Sequence, residues 1–419
     1  MTTQAATTSP LKILHTSDWH LGRLLYGKKR YEEFEAFLSW LATTIEQHQV
    51  DVLIIAGDVF DNGAPSNRAQ ELYYRFLCRI PQSSCRHVIV AAGNHDSPSF
   101  INAPKELLRF LNIHVVGSAA EDPANEVLVL KNLAGVEELI VCAVPYLRDR
   151  DIRVAEAGES VEDKERKLLE GIAAHYQAVF AVAERTRQEL GRHVPVVATG
   201  HLFAAGGETV EGDGVRELYI GSLAHIPATI FPAMLDYVAL GHLHVPQKVG
   251  GVEQIRYSGS PLPMGFGEAK QEKSLCLVTF SAETATVETI KVPVFQKLER
   301  ICGGENVIVS RLRELAATHD RAWLEIVYEG EELAGNLRER LEAAIAGTGM
   351  EILRIKNNRV VERALTHLYE EETLDDLNVD EVFTRCLDAH AITTEQRPEL
   401  LRAYHEIAMA LAEQDLRAE

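Results

Sequence analysis

Five short motifs bring residues suited to metal binding into one chain of 419 residues. They read SDWHLG (17–22), AGDVFD (56–61), AGNHDS (92–97), TGHL (199–202) and ALGHLHV (239–245). Seven of their side chains carry carboxylate, amide or imidazole groups that metals accept: Asp18, His20, Asp58, Asn94, His201, His242 and His244. One zinc ion needs fewer ligands than this, whereas two octahedral or near-octahedral ions need about this many once water completes their shells. The motifs therefore predict a two-metal site of the kind that hydrolyses phosphoesters.

Three residues of these motifs have more specific predicted roles. A carboxylate has two oxygens and can bridge two cations, which makes Asp58 the natural shared ligand. His95 follows Asn94 and offers an imidazole whose unperturbed pKa of ~6.5 suits proton donation to a leaving group. Asp61 is expected to support a ligand or cap a turn.

The types of ligand also indicate the metal. Several imidazoles disfavour Mg²⁺ and the absence of thiolates disfavours a soft metal, so Mn²⁺ is predicted ahead of Fe²⁺ and Zn²⁺.

Each of the motifs follows a segment with the pattern of a buried strand. Apolar runs at 11–17, 50–57 and 87–93 alternate with helical patterns at 31–48 and 67–80. This alternation of strands and helices predicts an α/β fold whose central sheet is covered by helices. Ligand sites in such sheets lie beyond the carboxyl ends of the strands, so the motif residues are expected to converge there.

Later segments predict a second sheet and further domains. One helix (161–190) interrupts a series of strands at 126–130, 138–143, 194–200, 236–241, 255–258, 274–280 and 286–292. A smaller β-α-β-α-β pattern follows, with helices near 304–316 and 332–346 and strands at 323–328 and 351–356. We predict a disordered tail (1–10), a catalytic domain (11–293), a small domain (294–357), a charged linker (358–377) and two C-terminal helices (378–419).

Composition narrows the class of protein. Hydrophobic residues make up 46% and charged residues 25%, which is typical of a soluble globular protein. The first ten residues lack the features of a signal peptide, so a cytoplasmic location is predicted. The formal net charge of −20 disfavours unaided binding to nucleic acid. A phosphate substrate stays compatible, because bound metals make a site locally positive.

The motifs, together with YSGSPLPMGFGE (257–268), resemble the calcineurin-like metallophosphoesterases. Over nearly the whole chain the sequence is similar to the SbcD family of bacterial DNA-repair nucleases, the counterparts of Mre-type nucleases. This resemblance implies a four-layer α/β/β/α sandwich with a small α/β capping domain and C-terminal helices. It also implies an SbcC-type coiled-coil ATPase and DNA as partners, a homodimer within a heterotetramer, and roles in DNA repair, recombination and replication.

The resemblance further implies how the site residues divide between two Mn²⁺ ions. One ion would be held by Asp18, His20, Asp58 and His244, and the other by Asp58, Asn94, His201 and His242. His95 would act beside the leaving oxygen. Archaeal relatives tend to carry a histidine at the position of Asp61, so no second catalytic histidine is implied here.

The motifs also permit other functions, which the rest of the chain disfavours. The metal motifs alone are compatible with a small-molecule phosphoesterase such as a nucleotidase or cyclic-nucleotide phosphodiesterase, but such an enzyme has no evident need for the small domain and terminal helices. Protein Ser/Thr phosphatases carry an arginine soon after the second motif, where this chain has GDVFDNG. A non-catalytic scaffold is disfavoured because every expected ligand is present.

Two basic clusters are candidate phosphate contacts, with a solvated surface as the alternative: Lys28, Lys29 and Arg30, and Arg354, Lys356, Arg359 and Arg363.

Overall fold

The computed structural model describes residues 10–153, 160–204, 226–281, 284–317, 321–330 and 337–357, together with five single residues beyond them. The chain divides into two compact units, Met1–Phe295 and Gln296–Glu419. Among the described residues, no helix is both long and apolar enough to cross a membrane.

The first half of unit 1 alternates strands and helices. In chain order the elements are β1 (Leu11–Thr16), α1 (Tyr31–His48), β2 (Val52–Ala56), α2 (Asn67–Arg79), β3 (His87–Ala91), α3 (Pro98–Asn102), α4 (Lys105–Arg109) and β4 (Ile113–Val116). The second half continues with β5 (Val127–Lys131), β6 (Glu137–Cys142), α5 (Asp149–Ile152), α6 (Val161–Leu190), β7 (Val196–His201), β8 (Tyr237–Gly241), β9 (Gln247–Val249), β10 (Val252–Tyr257), β11 (Ser274–Ser281) and β12 (Thr284–Lys291).

The described part of unit 1 contains two six-stranded sheets. The first has the order β12-β11-β1-β2-β3-β4, with β1 to β4 parallel to one another. The second has the order β5-β6-β7-β8-β10-β9. All five residues of β2, β3 and β8 are buried, as expected for strands covered on both faces.

Helices cover the outer face of each sheet. Helix α1 buries Phe34, Phe37 and Leu41 along one side, in the same core cluster as α2. Helix α2 begins at an N-cap, where the Ser66 side chain accepts a hydrogen bond from the backbone N–H of Ala69. The long helix α6 packs against the second sheet through a stripe of buried residues that includes Tyr176, Val179 and Phe180.

The two sheets face each other across an apolar layer. Its buried side chains come from both sheets: Ile13, Val52, Ile54 and Ile89 from the first, and Leu139, Val141, Val197 and Tyr237 from the second. His15 also spans this layer, with Nδ1 2.9 Å from the Tyr237 hydroxyl and Nε2 3.2 Å from the carbonyl oxygen of Leu240. The order helix, sheet, sheet, helix confirms the predicted four-layer α/β/β/α sandwich.

Unit 2 contains a smaller α/β fold. Its described elements are β13 (Leu298–Gly303), α7 (Glu305–Ala317), β14 (Trp323–Tyr328), α8 (Leu337–Ala344) and β15 (Glu351–Asn357). The three strands are parallel in the order β13-β14-β15. Leu312 of α7 and Leu341 of α8 pack with Leu324 and Ile326 of β14, so both helices cover one face of the sheet.

Several predictions about the chain need correction or lie outside the described residues. Strands β4 and β9 were not predicted, because four and three residues are too short to show a periodic pattern. Arg30 was a candidate phosphate contact, with a solvated surface as the alternative, and both are wrong. It is buried, makes a two-bond ion pair with Glu33 at 2.7 and 2.9 Å, and donates to the carbonyl oxygen of Pro263. The predicted linker (358–377), with Arg359 and Arg363, lies outside the described residues, as do nearly all residues of the C-terminal helices (378–419).

Candidate metal centre

The predicted ligands lie at the carboxyl ends of five strands. Asp18 and His20 follow β1, Asp58 follows β2, Asn94 follows β3, His201 is the last residue of β7, and His242 and His244 follow β8. Because both sheets present their parallel strands at the same edge, these residues converge from two layers of the sandwich. Apart from Asn94, each of the seven is almost completely buried.

The loops after β1 and β2 hold each other in an unusual backbone conformation. The backbone N–H of Asp18 donates to the carbonyl of Gly57 at 3.0 Å, and that of His20 donates to the carbonyl of Asp58 at 2.9 Å. Asp18, His20 and Asp58 have φ angles of 54°, 47° and 51°. Left-handed backbone costs free energy for residues with a Cβ, and such outliers cluster at functional sites. The paired loops therefore impose the positions of three predicted ligands.

Two glycines allow the sheets to approach closely at this edge. A Cβ added at Gly57 would overlap the ring of His201, and one added at Gly241 would overlap the carbonyl oxygen of Ala56. Both contacts join the end of β2 to the ends of β7 and β8. A side chain at either position would therefore push apart the two halves of the site.

One group of potential ligands consists of Asp18, His20 and His244, whose ligand atoms all lie within 4.8 Å of one another. The Nε2 atoms of His20 and His244 are 3.2 Å apart. The carboxylate of Asp18 accepts hydrogen bonds from the backbone N–H of His242 at 2.9 and 3.2 Å, which fixes its orientation. Two imidazole nitrogens and a buried carboxylate in this arrangement suit a divalent cation.

A second group consists of Asp18, Asp58 and His201, again within 4.8 Å. Oδ2 of Asp58 lies 3.3 Å from Nε2 of His201 and 3.6 Å from Nε2 of His20, so this oxygen stands between the two groups. Oδ1 of Asn94 is 3.0 Å from Nε2 of His201. The ring of His242 lies 5.4 Å from that of His201, centroid to centroid. Asp58 is thus placed where one carboxylate can serve two cations.

The electrostatics of the site favour positive charge. Burial opposes protonation of His201, but the carboxylates of Asp58 and Asp18 outweigh it and raise the pKa of His201 to about 9. Burial likewise opposes ionisation of Asp58, yet the neighbouring imidazoles hold the pKa of this carboxyl well below its usual range. A site that favours protonation of a buried imidazole has a negative electrostatic potential. A divalent cation would be attracted by this potential and would displace the proton.

Two other imidazoles of the site, those of His20 and His242, are kept neutral, as metal ligands must be. Burial lowers the pKa of His20 to about 4 and lowers that of His242 well below its usual range. Nδ1 of His201 lies 3.1 Å from the carbonyl oxygen of Ala56, so this nitrogen is the donor and Nε2 is directed to the centre of the site. The donor types and the neutral His20 and His242 therefore fit divalent metal ions.

His95 is held differently from the predicted ligands. Its backbone N–H donates to Oδ1 of Asp58 at 2.9 Å, and its Nδ1 donates to the carbonyl oxygen of Asp61 at 2.6 Å. The ring meets that of His20 edge to face at 4.7 Å. His95 also forms a third group of potential ligands with His20 and Asp61. The bond from Nδ1 leaves Nε2 to interact with a substrate.

Some residues of the site were not identified from the sequence. Asp96 is buried and accepts hydrogen bonds from the backbone N–H groups of Val59, Phe60 and Gly93 at 2.9 to 3.2 Å, which ties the loop after β2 to the loop after β3. Its place beside His95 in AGNHDS was the available signal. Glu268 lies against His244 from the string GFGE, which carries no recognisable ligand spacing.

Comparisons with known proteins match most of the length of the chain. A family model described as "Calcineurin-like phosphoesterase" matches residues 11–246, and one described as "Type 5 capsule protein repressor C-terminal domain" matches residues 294–391. The SbcD protein of the nuclease SbcCD from Escherichia coli (strain K12) is 38% identical over 93% of this chain and 96% of its own length. The SbcD proteins of Rhodobacter capsulatus and Bacillus subtilis are each 34% identical, over 66% and 64% of this chain and 68% and 66% of their own.

A solved structure of a dimetal phosphatase from Danio rerio aligns with 68% of this chain and 98% of its own, at a TM-score of 0.40 and 10% identity. The assignment to a family rests on the sequence matches. The chain therefore belongs to the SbcD family of calcineurin-like phosphoesterases, and it is a metal-dependent phosphodiesterase of the nuclease type.

Proposed function

We propose that the chain cleaves DNA with two Mn²⁺ ions, as a double-strand exonuclease and as an endonuclease on hairpins or single strands. The observation that carries this proposal is the convergence of the carboxylates of Asp18 and Asp58 with three imidazoles, in a chain whose relatives are named as nucleases. Asp18, His20, Asp58 and His244 would hold one ion, and Asp58, Asn94, His201 and His242 the other. Bound there, the metals would polarise the phosphodiester and activate the attacking water.

The chain's own residues would orient the reaction. We assign His95 as the catalytic histidine, because its Nδ1 is engaged by the carbonyl of Asp61 and Nε2 can carry the proton that the leaving oxygen takes up. The backbone N–H of His95 also donates to Asp58, so the proposed proton donor and the shared ligand are held in a fixed arrangement. Asp96 supports both, since it fixes the loops that carry them.

The acidic charge bears on how DNA is held. A net charge of −20 opposes approach of a polyanion, and the ion pairs of Arg354 and Lys356 with Glu325 at 3.6 and 3.4 Å already offset part of one basic cluster. We therefore propose that an SbcC-type coiled-coil ATPase contributes much of the affinity for DNA. The complex would contain two copies of each protein and would be located in the cytoplasm. Residues 294–357 would act as a capping domain and residues 378–419 would bind the ATPase.

Cleavage assays test this function directly. The purified chain would be incubated with linear and hairpin duplex DNA in Mn²⁺, with and without the ATPase partner and ATP. We expect metal-dependent cleavage that rises strongly when the partner and ATP are present. Hydrolysis of bis-p-nitrophenyl phosphate or nucleotides without cleavage of any DNA would instead support a small-molecule phosphoesterase.

A further inference from the structure

A buried carboxylate that belongs to none of the five motifs lies behind one of the predicted ligands. Glu268 ends the short helical turn Phe266–Glu268, which precedes β11, and its side chain is 0% exposed. Its Oε1 lies 3.5 Å from Nδ1 of His244. Oε1 is buried and has no hydrogen-bond partner among the described residues, so it faces the far side of the imidazole as an electrostatic contact.

The other oxygen of Glu268 is held from several sides. Oε2 pairs with Nζ of Lys273 and accepts a hydrogen bond from the backbone N–H of Met264 at 3.2 Å. Lys273 is buried as well, so this ion pair places a compensated charge in the interior. With Oε2 anchored, the carboxylate cannot rotate freely, and Oε1 stays directed at the imidazole.

Lys273 also fixes the backbone of the ligand itself. Its Nζ donates to the carbonyl oxygen of His244 at 3.0 Å and to Oγ of Ser260 at 3.1 Å. The same ammonium group therefore holds the main chain of His244 and the carboxylate that faces its ring. Together these contacts set both the position and the rotation of the imidazole.

We propose that Glu268, anchored by Lys273, is a positioning residue that holds His244 in the tautomer able to bind metal. A carboxylate facing Nδ1 favours the proton on that nitrogen, which leaves the lone pair on Nε2. Nε2 is the atom that lies 3.2 Å from Nε2 of His20, on the side of the predicted cation. Carboxylate–histidine pairs of this kind strengthen metal binding by orienting the ring and raising its basicity.

The same arrangement recurs behind a second ligand in a more open setting. Oδ1 of Asp61 lies 3.4 Å from Nδ1 of His20 and 3.2 Å from NH1 of Arg23. Each of these carboxylates, Asp61 and Glu268, thus lies between a cationic side chain and the Nδ1 atom of a histidine. The Nε2 atoms of the two histidines, His20 and His244, face each other. Asp61 is 25% exposed, so water can replace part of its function, whereas Glu268 is enclosed. The enclosed pair is therefore the sharper test.

The test measures Mn²⁺ binding to the metal-free full-length chain by isothermal titration calorimetry, with DNA cleavage as a second readout. The inference rests on the proposed metal ligands, so H244A is measured first and should abolish one of two binding events. E268Q should weaken Mn²⁺ affinity by about 10–100-fold, the range seen when such supporting groups are removed. Cleavage at saturating Mn²⁺ should recover to near the wild-type rate, because His244 itself is retained.

Further variants separate positioning from folding. E268Q leaves a buried lysine uncompensated, so E268Q/K273M restores neutrality without restoring the carboxylate. We expect the double variant to regain thermal stability and keep the weak Mn²⁺ affinity. The matched control is E126Q, because Glu126 is equally buried and contacts His175 at 3.0 Å, a histidine outside the site. Its Mn²⁺ affinity should equal that of the wild type.

Specific results would overturn the inference. Wild-type Mn²⁺ affinity in E268Q, or full recovery of affinity in E268Q/K273M, would leave Glu268 as one half of a structural ion pair. A further loss of affinity on adding E268Q to H244A would show that Glu268 acts without His244. Two unchanged binding events in H244A would refute the ligand assignment itself and the role of Glu268 with it.

Discussion

His15 makes the stability of unit 1 sensitive to mild acid. Its imidazole lies in the apolar layer between the two sheets, where Nε2 donates to the carbonyl of Leu240 and Nδ1 accepts from the hydroxyl of Tyr237. Burial lowers the pKa of His15 from 6.5 to about 3. Protonation would remove the acceptor at Nδ1 and place a charge in the layer, so the folded chain keeps this ring neutral.

The size of the effect follows from the two pKa values. The pKa is depressed in the folded state, so the stabilisation is fully present above pH 6.5 and is lost as pH falls towards 3. At pH 5.5 the unfolded chain protonates His15 to about 90%, which costs the folded state about 1.4 kcal/mol relative to pH 8. At pH 4.5 the cost reaches about 2.7 kcal/mol.

The assay compares the wild type with H15Q, in which an amide can still donate to Leu240 and accept from Tyr237 but does not titrate. Urea unfolding would be followed at pH 8 and 5.5 in the presence of a chelator, so that metal binding does not contribute to the pH dependence of stability. Both chains would carry W323F, so that the fluorescence of Trp19 and Trp40 reports unit 1 alone. The loss of unfolding free energy between the two pH values should be about 1.4 kcal/mol smaller in H15Q.

A matched histidine controls for general effects of the substitution. H193Q replaces an exposed imidazole, so its loss of unfolding free energy should equal that of the wild type. The reasoning would be refuted if H15Q and the wild type lost the same free energy between pH 8 and 5.5. It would also fail if H193Q reduced the loss as much as H15Q.

Three further outcomes test the site and its surroundings. H95Q should slow DNA cleavage by about 10²–10⁴-fold while calorimetry still records both Mn²⁺ binding events; full-rate cleavage would exclude a proton-donating role. G93A should abolish tight Mn²⁺ binding, because its Cβ would overlap Oδ1 and the backbone nitrogen of Asp58, and unchanged affinity would contradict that placement. R30A should lower the free energy of unfolding by about 3–5 kcal/mol, because Glu33 is left buried without its partner. The salt dependence of DNA cleavage by R30A should match the wild type, and a flatter dependence would restore Arg30 as a phosphate contact.

The predicted ligands could be located from the sequence because each follows an apolar strand. A strand that is buried on both faces is recognisable from its composition, and its carboxyl end fixes where Asp18, Asp58 or His201 emerges. Helix α1 was predicted with the bounds that the structure has, because an apolar stripe and a polar face mark it clearly. The sequence could not give the distances between ligands, which depend on how the two sheets pack.

Residues that act through contacts between distant segments were missed. Glu268 reaches His244 across a turn, and nothing in the local pattern of GFGE indicates a buried carboxylate. Arg30 was misassigned because two lysines precede it, although Glu33 one helical turn later offered a signal for an internal ion pair. Neighbours in sequence suggested a basic surface, whereas the start of α1 turns this guanidinium inward.

The left-handed backbone at Asp18, His20 and Asp58 has a practical consequence for trapping substrate complexes. A catalytically dead chain is usually made by changing a ligand to alanine, yet alanine tolerates φ angles near 50° poorly. Asparagine is far better accommodated in that conformation and preserves the shape of an aspartate. D18N and D58N should therefore retain the loop geometry around a bound DNA, whereas alanine at either position would risk recording a relaxed loop instead of the native site.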